Sequence, residues 1–476
     1  MDYGQLVKLI NDINSFIASN ILMWGLLGAG TYLSFLLGFP QITKIGYAFK
    51  MVFGGLFKKT ENSNEGSMSS FQALATAVAA QVGTGNVAGV ATAITAGGPG
   101  AVFWMWVSAF LGMGTIFTEA VLAQKYRKRI HGELVGGPAY YISRGLKKTG
   151  KFAKFLAGFF SVTIILALGF MGNAVQSNSI AAGIKGISGL ENINAGIIGV
   201  IVAILAALIF IGGMSKIAKF AELVVPIMAA VYILASILVL IIFHREVVPT
   251  FVWIVKSAFS PSAVAGGIAG ASVKVAVQKG IARGLFSNEA GMGSTPHAHA
   301  VAHVKHPVEQ GLSAMIGVFI DTILVCSATA LSILVTKAYV LKDVKGNFLV
   351  GAQLTQGAFK SSFGEFGAIL LAVCLAFFAF TTIIGWYYFG ESNIKFLFGK
   401  KMLLPYRIIV ILCIIAGSLQ EVKIVWSLAD IFNSLMVVPN LIAIVWMSFE
   451  VKALFKDYKE KVSKGNVTYD YSAEDE

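Results

Sequence analysis

Hydrophobic residues run along this chain in long blocks, not in the alternating or one-faced patterns of a water-soluble fold. Blocks long enough to cross the roughly 30 Å hydrocarbon core of a bilayer fall at 20–40, 70–97, 100–123, 153–184, 193–213, 219–243, 265–296, 308–337, 365–398, 403–418 and 425–450. They predict eleven spanning helices in an all-α polytopic membrane protein. Ahead of them Leu6, Leu9, Ile10, Ile13 and Phe16 recur at helical spacing, an amphipathic lead-in. The basic start and small-residue cleavage site of a secretory signal are missing there, so no cleaved leader is expected. The longest connectors, 124–152 and 338–364, are too short to bury a core of their own.

Composition agrees with the blocks. Of 476 residues, 56% are hydrophobic and 13% charged, whereas a soluble surface needs about 25% charged residues. The 51 glycines against 10 prolines suit helices that pack closely in a membrane. Cys326, Cys374 and Cys413 lie inside apolar blocks and read as small hydrophobes. The net charge of +13 raises a nucleic-acid partner, but its placement answers to topology instead. If alternate loops from 41–69 onward face the cytoplasm, they hold 25 of the 37 Lys and Arg with their span ends and the C-terminal tail, the opposite side nine. This positive-inside bias puts the N-terminus outside and the C-terminus inside. The dense cluster from Lys125 to Lys154 faces anionic headgroups of the lipid bilayer, and no nucleic acid is expected.

Two spans do not read as continuous helices. In the second, Gln81-Val82-Gly83-Thr84-Gly85-Asn86 sets two glycines and three polar side chains at mid-depth. Glycine weakens the helix there, and freed backbone groups are tolerated in a membrane only where they line a cavity. An unwound centre offers N–H groups to a carboxylate and C=O groups to a cation. Close helix packing through Gly85 and Gly89 is the plainer reading; the clustered Gln81, Thr84 and Asn86 weigh against it. The seventh span, from Gly266 to Gly293, is also rich in glycine and polar residues, with the break expected at Gly284–Asn288 and Gly266–Gly270 as second choice. Interrupted helices at corresponding places of two five-helix halves point to an inverted-repeat transporter. The organisation expected is 1–69 for the lead-in, an extra span and a cytoplasmic connector, 70–243 and 244–450 for the two repeats, and 451–476 for a cytoplasmic tail.

Ionisable residues inside spans are functional candidates because burial is costly. Glu119 and Asp321 rank first, then Glu222 and Glu289, in a salt-bridge or gate role with Arg283 or Lys279. His297, His299, His303 and His306 could ligate a metal, but as the polar end of a span they are expected to be solvated. A channel would need a selectivity ring and a pump a GxxxxGK[ST] phosphate loop; neither is present. An enzyme would need a nucleophile–base pair or metal ligands at mid-depth, and the His-rich segment 297–306 lies too near the surface.

Two longer motifs carry a family likeness. Gly97-Gly98-Pro99-Gly100-Ala101-Val102-Phe103-Trp104-Met105-Trp106 and Gly284-Leu285-Phe286-Ser287-Asn288-Glu289-Ala290-Gly291-Met292-Gly293-Ser294 resemble the signatures of the alanine or glycine:cation symporter family. The resemblance implies the amino acid–polyamine–organocation fold, seen also in the bacterial leucine transporter, and sodium-coupled import of a small neutral amino acid, alanine or glycine. Proton coupling or a broader substrate range is the alternative. By the same likeness, the amides of Thr84 and Gly85 would hold the substrate carboxylate. Ala79 and Val82 carbonyls with Thr381 and Thr382 would surround Na+, and Asn86 matches a ligand for a second sodium, although Ala80 stands where that fold has a polar neighbour. Gln81, Gly83, Phe170, Asn173, Gly284, Phe286 and Ser287 would complete the substrate pocket. Trp386, one helical turn beyond Thr382, would limit the side chain to little more than a methyl group. Back-bonding of Thr381 and Thr382 to their own helix, and an interfacial role for Trp386, are the plainer readings.

Overall fold

The computed structural model describes residues 23–54, 68–130, 132–261, 265–268, 270–343, 345–420 and 422–471, with Asp12 and Ile17. The lead-in through Leu6, Leu9, Ile10, Ile13 and Phe16 lies outside the described residues. Helix occupies each of the eleven expected spans. Seven helices among the described residues are long and apolar enough to cross a membrane: Gly100–Lys125, Lys151–Lys185, Gly213–Ile242, Pro307–Val335, Glu365–Phe398, Lys400–Leu419 and Leu428–Trp446. The bent pair Ser70–Gln81 and Gly85–Gly97 makes an eighth. Met23–Leu37 and Ala195–Phe210 are shorter apolar helices in the first and fifth spans.

Polarity is distributed opposite to a soluble protein. Ile201, Ile204 and Leu208 of the fifth span and Leu223, Ile227 and Leu234 of the sixth are exposed, while Thr84, Asn86, Glu119, Asn173, Asp321 and Thr382 are buried. Apolar side chains turned outward have no cost where the surroundings are lipid, and polar ones turned inward must find partners among themselves.

The second span begins with a capping box: the Ser69 hydroxyl accepts from the Gln72 amide at 3.1 Å and Gln72 Oε1 accepts from the Ser69 amide at 3.0 Å. Such reciprocal capping satisfies two amides that a helix start leaves free. The helix stops at Gln81, resumes with π geometry at Gly85–Gly89 and continues as Val90–Gly97, bent by 48°. This break falls where the glycines and polar residues predict it.

The seventh span breaks elsewhere. Ser272 caps a helix that runs without interruption through Val273–Asn288, so the expected break at Gly284–Asn288 is helical. Gly266 adopts φ 56° but precedes the helix, so the second choice is not the break either. The interruption occupies 289–295, before the short helix Pro296–Ala300. Glu289 (φ 58°), Gly291 (φ 91°) and Gly293 (φ 77°) turn the backbone there into conformations helices cannot use. Gly284 instead permits close packing: a methyl group on it would lie 3.2 Å from Ser108 and 3.4 Å from Met105 of the third span.

The fourth and eighth spans each contain a π segment, Ile165–Gly172 and Phe319–Cys326, a local irregularity common at functional sites. Two contacts flank the breaks. Arg283 binds Asp430 of the eleventh span through two parallel hydrogen bonds of 3.0 and 2.7 Å. On the other side, Met68–Ser69 pair in parallel with Ala302–His303. The C-terminal tail lies over that side, where the Tyr469 amide donates to the Lys305 carbonyl and the Arg127 guanidinium sits 4.0 Å from the Tyr471 ring centre.

Candidate functional site

A helix end leaves its last carbonyls without intrahelical partners. At the break of the second span those of Ala79, Ala80 and Val82 converge on one hydroxyl, Thr382 Oγ1, at 3.0, 3.2 and 3.4 Å. One hydroxyl carries one proton, so three carbonyls around it form an oxygen-rich, electronegative cluster of the kind that suits a hard cation. Gly83 makes the approach feasible, since a methyl group there would stand 2.5 Å from Thr382 Oγ1. Thr381 does not join the cluster. Its hydroxyl donates to the Phe378 carbonyl of its own helix at 2.9 Å, the back-bonding that threonine favours inside helices.

Beside this cluster lie polar atoms with no hydrogen-bond partner. Gln81 Oε1, Thr84 Oγ1, Asn173 Oδ1, Gln176 Nε2 and Ser177 Oγ are all buried and unsatisfied among the described residues. Buried polar groups are rarely left so, and a group of them where two broken or irregular spans meet is a place for a polar ligand. Their other atoms are engaged: Gln81 Nε2 donates to the Asn288 carbonyl (2.7 Å), Asn173 Nδ2 to the Gly169 carbonyl (2.9 Å), and Gln176 Oε1 accepts from the Thr84 amide (3.2 Å). Gly85 faces the seventh span, where a methyl group on it would lie 3.1 Å from Ser287 Cα and 3.2 Å from the Phe286 ring. Phe286 meets Trp386 edge to face, with centroids 5.9 Å apart and planes at 88°. Trp386 is buried, not interfacial.

A third group surrounds Asp321. Its carboxylate accepts from Asn86 Nδ2 at 2.5 Å, from Ser287 Oγ at 3.0 and 3.1 Å, and from Thr322 Oγ1 at 2.6 Å. Asn86 Oδ1 also accepts from the Gly83 amide at 2.8 Å, which ties this group to the break.

The acids expected in salt bridges are held by neutral donors. Glu119 accepts the amides of Gly291 (3.2 Å) and Gly293 (3.1 Å) and the side-chain amide of Asn440. Glu289 accepts from the Trp386 indole N–H and from the Ser294 hydroxyl. Glu222 accepts from Gln72 Nε2 at 2.9 Å. Arg283 goes to Asp430, an acid in the eleventh span that the sequence reading passed over. Its position inside an apolar block was the signal, as it was for Asn440.

Gly284 packs on the third span against Ser108 and Met105. Phe170 lies against Tyr406 of the tenth span, ring centroids 5.8 Å apart. His297, His299 and His306 are buried, not solvated. His297 Nδ1 donates to the Ser294 carbonyl at 2.6 Å while Nε2 accepts from Asn393 Nδ2, and His299 donates to Gln310 Oε1 at 2.8 Å. His306 donates to Asp457 at 3.1 Å. This span end is covered by Asn393 of the ninth span, Gln310 of the eighth and Asp457 of the C-terminal helix Ser448–Ser463, and hydropathy could not report that. No group of three or more His, Cys, Asp or Glu placed to hold a metal ion occurs among the described residues.

A lipid-facing helical bundle with two interrupted spans, and with buried unsatisfied polar atoms at one interruption, is a membrane transporter of the leucine-transporter fold. That fold is shared with the crystal structure of MhsT in complex with L-phenylalanine, at TM-score 0.58 and 13% identity over 81% of this chain and 90% of that one. The chain belongs to the sodium:alanine symporter family, which it matches over residues 3–472. It is similar to the sodium/alanine symporter AgcS of Methanococcus maripaludis, 41% identical over 96% of this chain and 98% of AgcS. It is also similar to the probable sodium/glutamine symporter GlnT of Bacillus subtilis, 39% identical over 98% of this chain and 93% of GlnT.

Proposed function

We propose that the protein imports alanine or glycine together with sodium by alternating access, with the N-terminus outside the cell and the C-terminus in the cytoplasm. The observation that carries this reading is the meeting of two features at the break of the second span: the carbonyl cluster on Thr382 and the unsatisfied polar atoms next to it. Sodium takes the carbonyl oxygens of Ala79 and Val82 and the hydroxyl of Thr382, and the Ala80 carbonyl adds an oxygen the sequence reading did not include. The substrate carboxylate takes the amides of Thr84 and Gly85, displacing Gln176 Oε1 from Thr84 and turning the free Gln176 Nε2 into a further donor. Its ammonium group suits the unsatisfied acceptors Gln81 Oε1 and Asn173 Oδ1. Phe286 and Trp386 bound the side chain.

Asn86 is the candidate for a second sodium, and Asp321 answers the objection that Ala80 raises there. A carboxylate with three donors at the break supplies charge to hold a cation where a polar neighbour is lacking. Alternating access then has two closures to open in turn, the Arg283–Asp430 pair and the Met68–Ser69 pairing with Ala302–His303.

Uptake of labelled alanine by the purified protein in liposomes tests the reading. An inward sodium gradient should drive accumulation, glycine should compete, and ethylamine, which lacks the carboxylate, should not. Accumulation driven by a proton gradient without sodium would assign the coupling to protons, and effective competition by ethylamine would remove the carboxylate site.

A further inference from the structure

Glu289 has no role in the transport reading above, yet it holds the least natural backbone conformation in the seventh span. The position directly after a helix, with φ 58°, is one that glycine or asparagine ordinarily fills, because other side chains are strained there. A glutamate at that place is chosen against local preference, so its side chain is what the position uses. That side chain is wholly buried. One carboxylate oxygen accepts the indole N–H of Trp386, 97 residues away, and the other accepts the Ser294 hydroxyl at the far end of the same break.

The indole is held on two other sides. Phe286 meets it edge to face, and the fourth span passes so close that a methyl group on Gly172 would lie 2.5 Å from the six-membered part of the ring. Removal of the carboxylate would leave a buried N–H with no partner, and a ring in that state turns to find one.

We infer that Glu289 is the positioning residue for Trp386, so that the carboxylate at the seventh-span break sets the size limit of the substrate pocket. This rests on the reading of Trp386 as the pocket wall. The experiment is a competition series with glycine, alanine, valine and leucine in liposomes for wild type, Glu289→Ala, Glu289→Gln, Trp386→Phe and the double variant Glu289→Ala with Trp386→Phe. Glu289→Ala should raise the KM for alanine about tenfold and shrink the preference for alanine over leucine by a similar factor, the scale of discrimination by a methylene or two in an apolar pocket. Glu289→Gln keeps an oxygen that accepts the indole N–H and should retain most of the preference. The double variant should be no worse than Trp386→Phe alone, because both changes cut one interaction.

A merely structural Glu289 would lower uptake of every substrate by one factor and leave the preference ratios unmoved; that result overturns the inference. A shift in Trp386→Phe without one in Glu289→Ala overturns it while sparing the pocket. An unshifted Trp386→Phe overturns both. If Glu289→Ala does not fold, Glu289→Asp with 15N-labelled indole supplies a readout independent of transport. The Trp386 N–H resonance should move upfield as its hydrogen bond is stretched, and an unmoved resonance counts against the inference.

Discussion

In the second span the helix stops at Gln81, and the freed carbonyls meet one hydroxyl while neighbouring polar atoms have no hydrogen-bond partner among the described residues. In the seventh span the helix stops at Asn288, and much of the backbone freed there is taken up within the protein. Glu119 accepts two of its amides, Asn440 donates to the Gly291 carbonyl at 2.9 Å, and Asn288 Oδ1 accepts the Ala290 amide at 3.0 Å. Both spans are interrupted, but among the described residues the second-span break gathers several buried polar side-chain atoms without a partner, whereas Thr295 Oγ1 is the one such atom within 289–295. An interrupted membrane helix is therefore not by itself a binding site. The site is where the protein has withheld several partners that burial demands, and the other break is a joint whose freed backbone is largely satisfied internally.

The contrast can be broken at several points. The largest effect is expected at Gly83 and Gly85. Gly83→Ala drives a methyl group against Thr382 and should abolish sodium-driven alanine uptake, a loss of at least about 100-fold, or about 2.7 kcal/mol. Gly85→Ala presses on Ser287 and Phe286 and should abolish alanine binding in an equilibrium assay. Near-normal uptake in both would mean that the first break is packing alone.

Glu119→Ala probes the satisfied break. It strands two buried amides at about 1–3 kcal/mol each, so the thermal midpoint in detergent should fall steeply, while the sodium and alanine affinities of the surviving protein stay close to wild type. A large affinity change at unaltered stability would make the seventh-span break a ligand site after all.

Thr382→Ala and Thr381→Ala form a matched pair. A hydrogen-bonding group facing a charge contributes about 1.5–3 kcal/mol, so Thr382→Ala should raise the sodium concentration for half-maximal uptake at least about tenfold. Thr381→Ala removes a bond to its own helix and a weak one to Met228 Sδ of the sixth span, and should stay within about twofold. Equal effects from the two would return Thr381 to the ion's oxygen shell.

The smallest expected change is one of selectivity. Trp386→Ala should weaken alanine several-fold and admit valine or leucine, since a pocket that loses a large side chain loses its clash with longer substrates before it loses everything else. A mutant that still excludes leucine in the competition series would place the size limit away from Trp386.

Much of this was legible in one dimension. Eleven apolar blocks, low charge and the distribution of Lys and Arg define a polytopic membrane protein, because lipid selects apolar surface wherever it lies along the chain. The weak point at Gly83–Asn86 was also readable, since glycine and polar residues at mid-depth lower helix stability locally. The seventh break was misplaced for the same reason: Gly284 looks as weak as Gly291, and only packing against Ser108 distinguishes a glycine that lets helices approach from one that turns the chain.

Sequence by itself determined the class of protein, its spans and the place of the first break, because hydropathy and helix propensity are properties of neighbouring residues. Tertiary structure alone decided which freed groups are satisfied. Glu119 reaches Gly291 across 172 residues and Thr382 reaches Ala79 across 303, and a hydrogen-bond partner that distant leaves no periodicity to read. The same holds for the three buried histidines, which local polarity assigned to water and which the eighth span, the ninth span and the C-terminal helix enclosed. What a ligand will find depends on that long-range accounting, since a polar group in a membrane binds whatever the fold has not already supplied.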